Sequence, residues 1–221
     1  MNIKRGPYDQ RSLENREDVL VFTTDVLSDP VWITGPVKAR LFVSSDCPDT
    51  DFNVKLTDVY PDGRSMLISD GIIRMRNRNG CDHWEFMQPG EIYEVEIDLW
   101  STAYLFNTGH QIRVSVSSSN YPRFLANPNT KEPLAQNDSY AIAQNNLYIG
   151  GSYPSSIILP VVSLQYETEK QRSQQVFSSL LSQRLQQDVV SLFQHHLFSV
   201  QIPKLTNQDP FTGNNSFSNI E

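Results

Sequence analysis

The stretch from Thr50 to Arg76, TDFNVKLTDVYPDGRSMLISDGIIRMR, constrains the fold more than any other part of the chain. Two strand-like runs flank Pro61-Asp62-Gly63-Arg64, where proline pre-sets φ and glycine accepts a positive one, so the segment reads as a β-hairpin. With those four residues as the loop, Tyr60 faces Ser65, Asp51 faces Arg74, Lys55 faces Asp70 and Phe52 faces Ile73. A slip of one residue would set Val54 against Asp70 and lose both charge pairs, so this register is expected. As exposed pairs, the two would contribute only about 0.2–1 kcal/mol each and would fix register more than stability.

The rest of the chain follows the same pattern. Val19–Phe22 is a short apolar run closed by Ser28-Asp29-Pro30. Val31 opens a longer run, broken at Gly35-Pro36, in which Val37, Ala39, Leu41 and Val43 alternate with Lys38, Arg40, Phe42 and Ser44. Glu91–Leu99 alternates strictly, Tyr93, Val95, Ile97 and Leu99 against Glu94, Glu96 and Asp98, which predicts a strand solvated on one face. Trp100–Gly109 reads as a connection, Gln111–Ser119 as a strand, Asn120 to Asn145 as a long Asn- and Pro-rich loop, and Leu147–Ile149 and Ser156–Val162 as the last strands. About eight short strands with no helix before residue 163 predict two packed antiparallel sheets, an all-β jelly-roll β-sandwich.

Beyond Ser163 the composition changes. Phe177, Leu181, Leu185, Val189, Leu192 and Leu197 recur at helical spacing between Glu167 and Phe198, predicting an amphipathic helix, and the stretch from Pro203 reads as disorder. The expected organisation is a sandwich over residues 1–163 and a helical and disordered tail over 164–221.

A net charge of −7 on 221 residues argues against a nucleic-acid partner, which would need clustered lysine and arginine. No run approaches the roughly 20 apolar residues of a membrane span, and the first 18 residues lack the apolar core of a secretion signal. Cys47 and Cys81 are too few for a disulfide framework and read as unpaired thiols, with a single bridge left open. Together these features predict a cytoplasmic location; assembly with further copies of the chain stays open.

Candidate chemistry is sparse. No GxSxG nucleophile motif occurs; Gly150-Gly151-Ser152-Tyr153-Pro154 approaches it but ends in proline and precedes no helix. Ser117, Ser118 and Ser119 with His110 are the one Ser–His combination within a strand region, although serines at a strand end more often serve turns. His83 sits in a loop, and His195 and His196 on the expected tail helix. Asp46, Asp49 and Asp51 offer hard oxygens for calcium or simply a solvated acidic loop, while HxH, HExxH and CxxC spacings are missing. Trp32, Trp84, Trp100, Tyr104, Tyr121 and Tyr153 could stack on sugars or anchor a core. The residues therefore point to no catalytic, cofactor-binding or metal-binding set.

Read together, GPYDQR at Gly6–Arg11, EDVLVFTT at Glu17–Thr24, the hairpin above, PGEIYEVEIDLWSTAYLF, GHQIRVSVSSSNYPRF and NPNT resemble the C-terminal domain of the X-prolyl dipeptidyl-peptidase and cocaine-esterase family of serine hydrolases. The resemblance runs from about Gly6 to Val162 and implies a galactose-binding-like jelly-roll. It implies an accessory, non-catalytic role beside an α/β-hydrolase catalytic domain with dipeptidyl-peptidase or ester-hydrolase activity, because that family's triad lies outside this module. Gln111, Lys131 and the histidine-free Gly150–Ser155 depart from the family pattern. The alternative is a stand-alone carbohydrate- or protein-binding module.

Overall fold

The structure is a computed structural model that describes residues 6–133, 139–162, 197–201 and 214–218. Eleven strands are present among them: β1 Leu20–Thr23, β2 Val31–Ser45, β3 Asp51–Val59, β4 Ser65–Arg74, β5 Tyr93–Phe106, β6 Gln111–Ser117, β7 Gln144–Gly150, β8 Tyr153–Pro154, β9 Ser156–Val162, β10 Leu197–Gln201 and β11 Asn214–Ser218. One sheet has the order β1-β6-β3-β4; the other runs β10-β9-β2-β7-β11, with β5 on the opposite edge of β2 and β8 beside β7. All registered pairs are antiparallel. The molecule is thus the all-β, two-sheet sandwich that the alternating runs predict.

Inward-facing residues from both sheets fill the space between them. Phe52, Val54 and Leu56 of β3 and Ile112, Val114 and Val116 of β6 meet Val37, Ala39, Leu41 and Val43 of β2 and Val95, Ile97 and Leu99 of β5. In these runs of the four strands alternate residues point into the core, as the pleat requires.

The hairpin keeps the expected register over its open half: Asp51 pairs with Arg74, Phe52 with Ile73 and Lys55 with Asp70. Nearer the turn it differs. The register shifts between Leu56 and Thr57, leaving Ile68 as an extra residue on β4, and Val59 rather than Tyr60 lies opposite Ser65. The loop is consequently Tyr60–Arg64, closed by Tyr60 N donating to Arg64 O at 2.9 Å, with Gly63 at φ 86°. A β-bulge adds one residue and raises the local twist, which loop-length reasoning alone does not anticipate.

Two strands run further than expected. β2 continues through Gly35 and Pro36 with a shift between Pro36 and Lys38, and β5 continues to Phe106 instead of ending at Leu99. Trp100 adopts φ 69° there. The buried phase changes across it, from Val95, Ile97 and Leu99 to Phe106, so the alternation stops in sequence while the strand goes on. The helix expected over Glu167–Phe198 lies outside the described residues except at its end, where Leu197 and Phe198 instead open β10 against β9. Part of the stretch read as disorder also differs, since Asn214–Ser218 pairs with β7.

Residues 6–18 are a strap over the outer face of the first sheet. Gln10 N donates to Ser65 O at 2.7 Å, Leu67 N to Tyr8 O at 3.2 Å, and a short helix, α1, spans Arg11–Glu14. Glu14 is carried beneath it to Ser65 Oγ (2.6 Å) and Arg113 (2.7 Å). The two sheets approach where β4 meets β5: Ser69 Oγ donates to Leu99 O, and a Cβ at Gly71 would lie 2.2 Å from Asp98 O. Because the obstacle is backbone, Gly71→Ala should cost about 3 kcal/mol in urea unfolding; a loss under about 0.5 kcal/mol would show that this contact is not rigid.

Candidate functional site

The most elaborate polar constellation grows from the open end of the hairpin. Asp49 and Arg76 extend the same cross-strand register one step beyond Asp51 and Arg74, so two acidic and two basic side chains converge. Arg76 Nε donates to Asp49 Oδ2 at 2.6 Å and its backbone N to Oδ1 at 2.8 Å. The side chains are 2% and 0% exposed respectively. Arg74 grips Asp51 with two bonds of 2.8 Å. Between the pairs, Asn127 Nδ2 donates to Asp49 Oδ2 (2.8 Å) and Asp51 Oδ1 (2.7 Å).

What the cluster holds is the loop after β6. Arg76 donates its remaining N–H groups to Thr130 O (2.6 Å) and Glu132 O (3.0 Å), and Arg74 donates to Leu125 O (2.9 Å). Arg123 and Asn120 bind the carboxylate of Asp70. Asn129 Nδ2 donates to Ala141 O at 2.7 Å, tying the loop to its own return. The Arg76 guanidinium is flanked by Trp84 and Phe86, 4.9 and 5.3 Å from the ring centroids. Burial pushes the Asp51 carboxyl up against the opposing pull of Arg74, while Asp51 holds the Arg74 guanidinium up. These are buried pairs, not the exposed ones expected, and their removal matters correspondingly more.

The calcium reading of Asp46, Asp49 and Asp51 finds its oxygens otherwise engaged: Asp46 Oδ1 accepts from Gln144 N at 2.7 Å and the other two face arginines. Among the described residues no group of three or more His, Cys, Asp or Glu could hold a metal ion. His110 is buried with Nδ1 2.9 Å from Asp58 Oδ1 and its ring 4.5 Å from Tyr60. Tyr104 donates to the same carboxylate at 2.8 Å, and burial followed by that bond pushes its hydroxyl pKa far up. The serines stand at the other end of β6, roughly 20 Å away at ~3.3 Å per residue. There Ser118 Oγ accepts from Asn145 (2.7 Å) and Ser117 Oγ donates to Ser119 O (3.1 Å). His110 and the serines are therefore not brought together.

Ser152 lies in the turn between β7 and β8, where no helix begins. His83 is on the surface between Glu85 and Asp82, whose hydrogen bonds raise its pKa. His195 and His196 lie outside the described residues. The aromatic residues are dispersed: Trp32 faces Leu105 across β2 and β5, Trp84 covers Arg76, Trp100 marks the β5 bulge, Tyr104 binds Asp58 and Tyr153 stacks near Phe42 and Tyr148.

Among the described residues the clustered acidic, basic and histidine side chains are spent on holding loops and strand ends, and the fold places the chain among the β-sandwich domains. The comparisons specify which. Residues 1–158 match the X-Pro dipeptidyl-peptidase C-terminal non-catalytic domain, and the chain belongs to that family. It is 48% identical over 163 residues to a cocaine esterase of Rhodococcus sp. (strain MB1 Bresler), covering 73% of this chain but 28% of that protein. An aminopeptidase from the marine sediment archaeon Thaumarchaeota archaeon shares the fold at TM-score 0.68 and 33% identity, covering 71% of this chain and 28% of that one. An alpha-amino acid ester hydrolase does so at TM-score 0.67 and 32% identity, covering 70% and 27%. The chain therefore spans little more than a quarter of the length of these relatives, and the part it spans is the non-catalytic one.

The Arg76 cluster was missed in sequence although a signal was present: Asp49-x-Asp51 and Arg74-x-Arg76 are equally spaced and fall opposite each other in the register already inferred. Arg76→Met should destabilise the protein by about 3–5 kcal/mol, because Asp49 stays buried without its counter-charge, and Asp49→Leu in the same chain should recover part of the loss. Urea unfolding of the three variants checks both. Cys47 is buried and Cys81 exposed. Burial raises the Cys47 thiol to about 11, so one thiol should react with a chromogenic disulfide in the native state and two after denaturation.

Proposed function

We propose that the chain docks on an α/β-hydrolase catalytic domain and supports acyl transfer there through that domain's serine, with an ester or an X-prolyl peptide as substrate. The observation that carries this reading is length: the relatives contain more than twice as much additional chain as the part matched here. Their printed names are those of an esterase, an aminopeptidase and an ester hydrolase, and this chain corresponds to their non-catalytic end.

The clamped loop supplies a suitable face. Ile72, Ile73, Phe124 and Leu125 line an open groove of about 460 Å³ with Arg74 and Asp51 at its side. Leu125 is 70% exposed although its carbonyl is fixed by Arg74. Fixing a backbone while presenting its apolar side chains to solvent lowers the ordering cost of association. The occupant that accounts for such a groove is the hydrolase domain of the longer relatives. Residues 1–163 would be the docking module and 164–221 an appendage to it; free Cys47 and Cys81 support a cytoplasmic setting.

The test is reconstitution. The hydrolase portion of the Rhodococcus cocaine esterase, expressed without its own C-terminal domain, should co-purify with the full 221-residue chain, and Leu125→Asp should weaken binding at least about tenfold. Failure of the wild-type pair to associate would overturn the docking role. Labelling of the isolated chain by a fluorophosphonate would overturn its non-catalytic part.

A further inference from the structure

A second site lies on the outer face of the first sheet, independent of the docking groove. Register places Val21, Ser115, Lys55 and Asp70 in one row across β1, β6, β3 and β4. The strap from Gln10 to Val19 closes one side of this row and Ser119–Tyr121 the other. Between them is a cleft of about 140 Å³, room for about four or five waters at ~30 Å³ each.

The charges in and around the cleft are unevenly matched. Glu14 is taken by Arg113 and Ser65, Asp18 by Arg16, and Asp70 by Arg123 and Asn120. Lys55 has only a neutral partner: its Nζ donates to Gln10 Oε1 at 3.2 Å, and no carboxylate among the described residues lies within ion-pairing distance. Burial lowers the Lys55 pKa, with Arg123 adding to the effect and Asp70 and Glu14 opposing it. A partly buried ammonium without a counter-ion is costly unless an anion completes it. Beside it Ser115, 5% exposed, lines the same cleft, so its hydroxyl is a second donor there. Leu13, Val19 and Tyr121 give the same cleft an apolar wall.

We propose that this cleft binds a small organic carboxylate, its oxygens accepting from Lys55 Nζ and Ser115 Oγ and its apolar part resting on Leu13, Val19 and Tyr121. Inorganic anions would satisfy the charge and leave the wall unused; neutral analogues would do the reverse. No bond is made or broken, so the site is one of binding only.

Amide chemical shifts of the full-length chain would be followed while sodium benzoate, benzamide or sodium chloride is added at constant ionic strength. Benzoate should give saturable shifts confined to the strap, Ser115–Ser117 and Ser119–Tyr121, with an affinity on the order of millimolar. Lys55→Met should weaken this at least about tenfold, and Ser115→Val, which preserves the charge and fills the cleft, should do the same if Lys55→Met does not fold. Three results overturn the proposal: no saturable shift with benzoate, an equal response to chloride (an adventitious ion only) or to benzamide, or binding unchanged in a folded variant. None of them bears on association with the hydrolase domain, which is read separately by co-purification.

Discussion

The ion pair between Asp49 and Arg76 is the constraint on which the ordered periphery of the sandwich depends. Two charges so completely withdrawn from water are tolerable only when nearly every polar atom around them is satisfied. That condition is met jointly. Asp49 accepts from Arg76 and Asn127, and Arg76 uses its other donors on the carbonyls of Thr130 and Glu132. Moving the loop would therefore unsatisfy the pair, and breaking the pair would release the loop. The register of β3 and β4 sets this geometry, since only one alignment brings both aspartates opposite both arginines. A core-facing pattern thus dictates the placement of a surface loop far away in sequence.

Most of the architecture was legible because a strand's two faces impose an alternation that sequence displays directly. β9 has the bounds that alternation and turn residues predict, and the hairpin's charge pairing places Asp51 and Arg74 correctly. What was not legible shares one physical cause: β-bulges change the phase of the alternation without ending the strand. Trp100 makes β5 look short, and the extra residue at Ile68 moves Val59 into the place expected of Tyr60. The strap over residues 6–18 was illegible for a different reason. Its stability comes from partners distant in sequence, such as Ser65 and Arg113, and no local periodicity announces it.

The candidate site was less legible than the fold because the same residue types serve catalysis and structure, and only neighbours separate the two. His110 with Asp58 would suit a triad if a serine hydroxyl stood beside the other ring nitrogen. The strand instead sends Ser117–Ser119 to the opposite end, where their hydroxyls serve Asn145 and the local turn. The acidic run Asp46–Asp51 suggests a cation until the arginines are placed, and then it becomes a fastening. In each case the group is engaged by a hydrogen bond within the domain, in keeping with a family whose domain is non-catalytic.

The first sheet also departs from the usual division of a sandwich into one dry and one wet face. β3 is enclosed on both, apolar toward the core and polar toward the strap and the β6–β7 loop. Covering a polar face obliges each buried group to find a partner, and most do: Asn53 Nδ2 reaches Gly71 O although its Oδ1 finds none, Glu14 reaches Arg113, and Asp70 reaches Arg123. Lys55 departs in a different way, its ammonium held in the cleft against a neutral amide. Folding energetics alone would favour an apolar side chain at that position, since replacing a buried charge by a hydrophobic residue is often neutral or stabilising. A lysine placed where structure gains little from it, beside a serine lining the same cleft, is the arrangement expected where an external carboxylate supplies the missing charge.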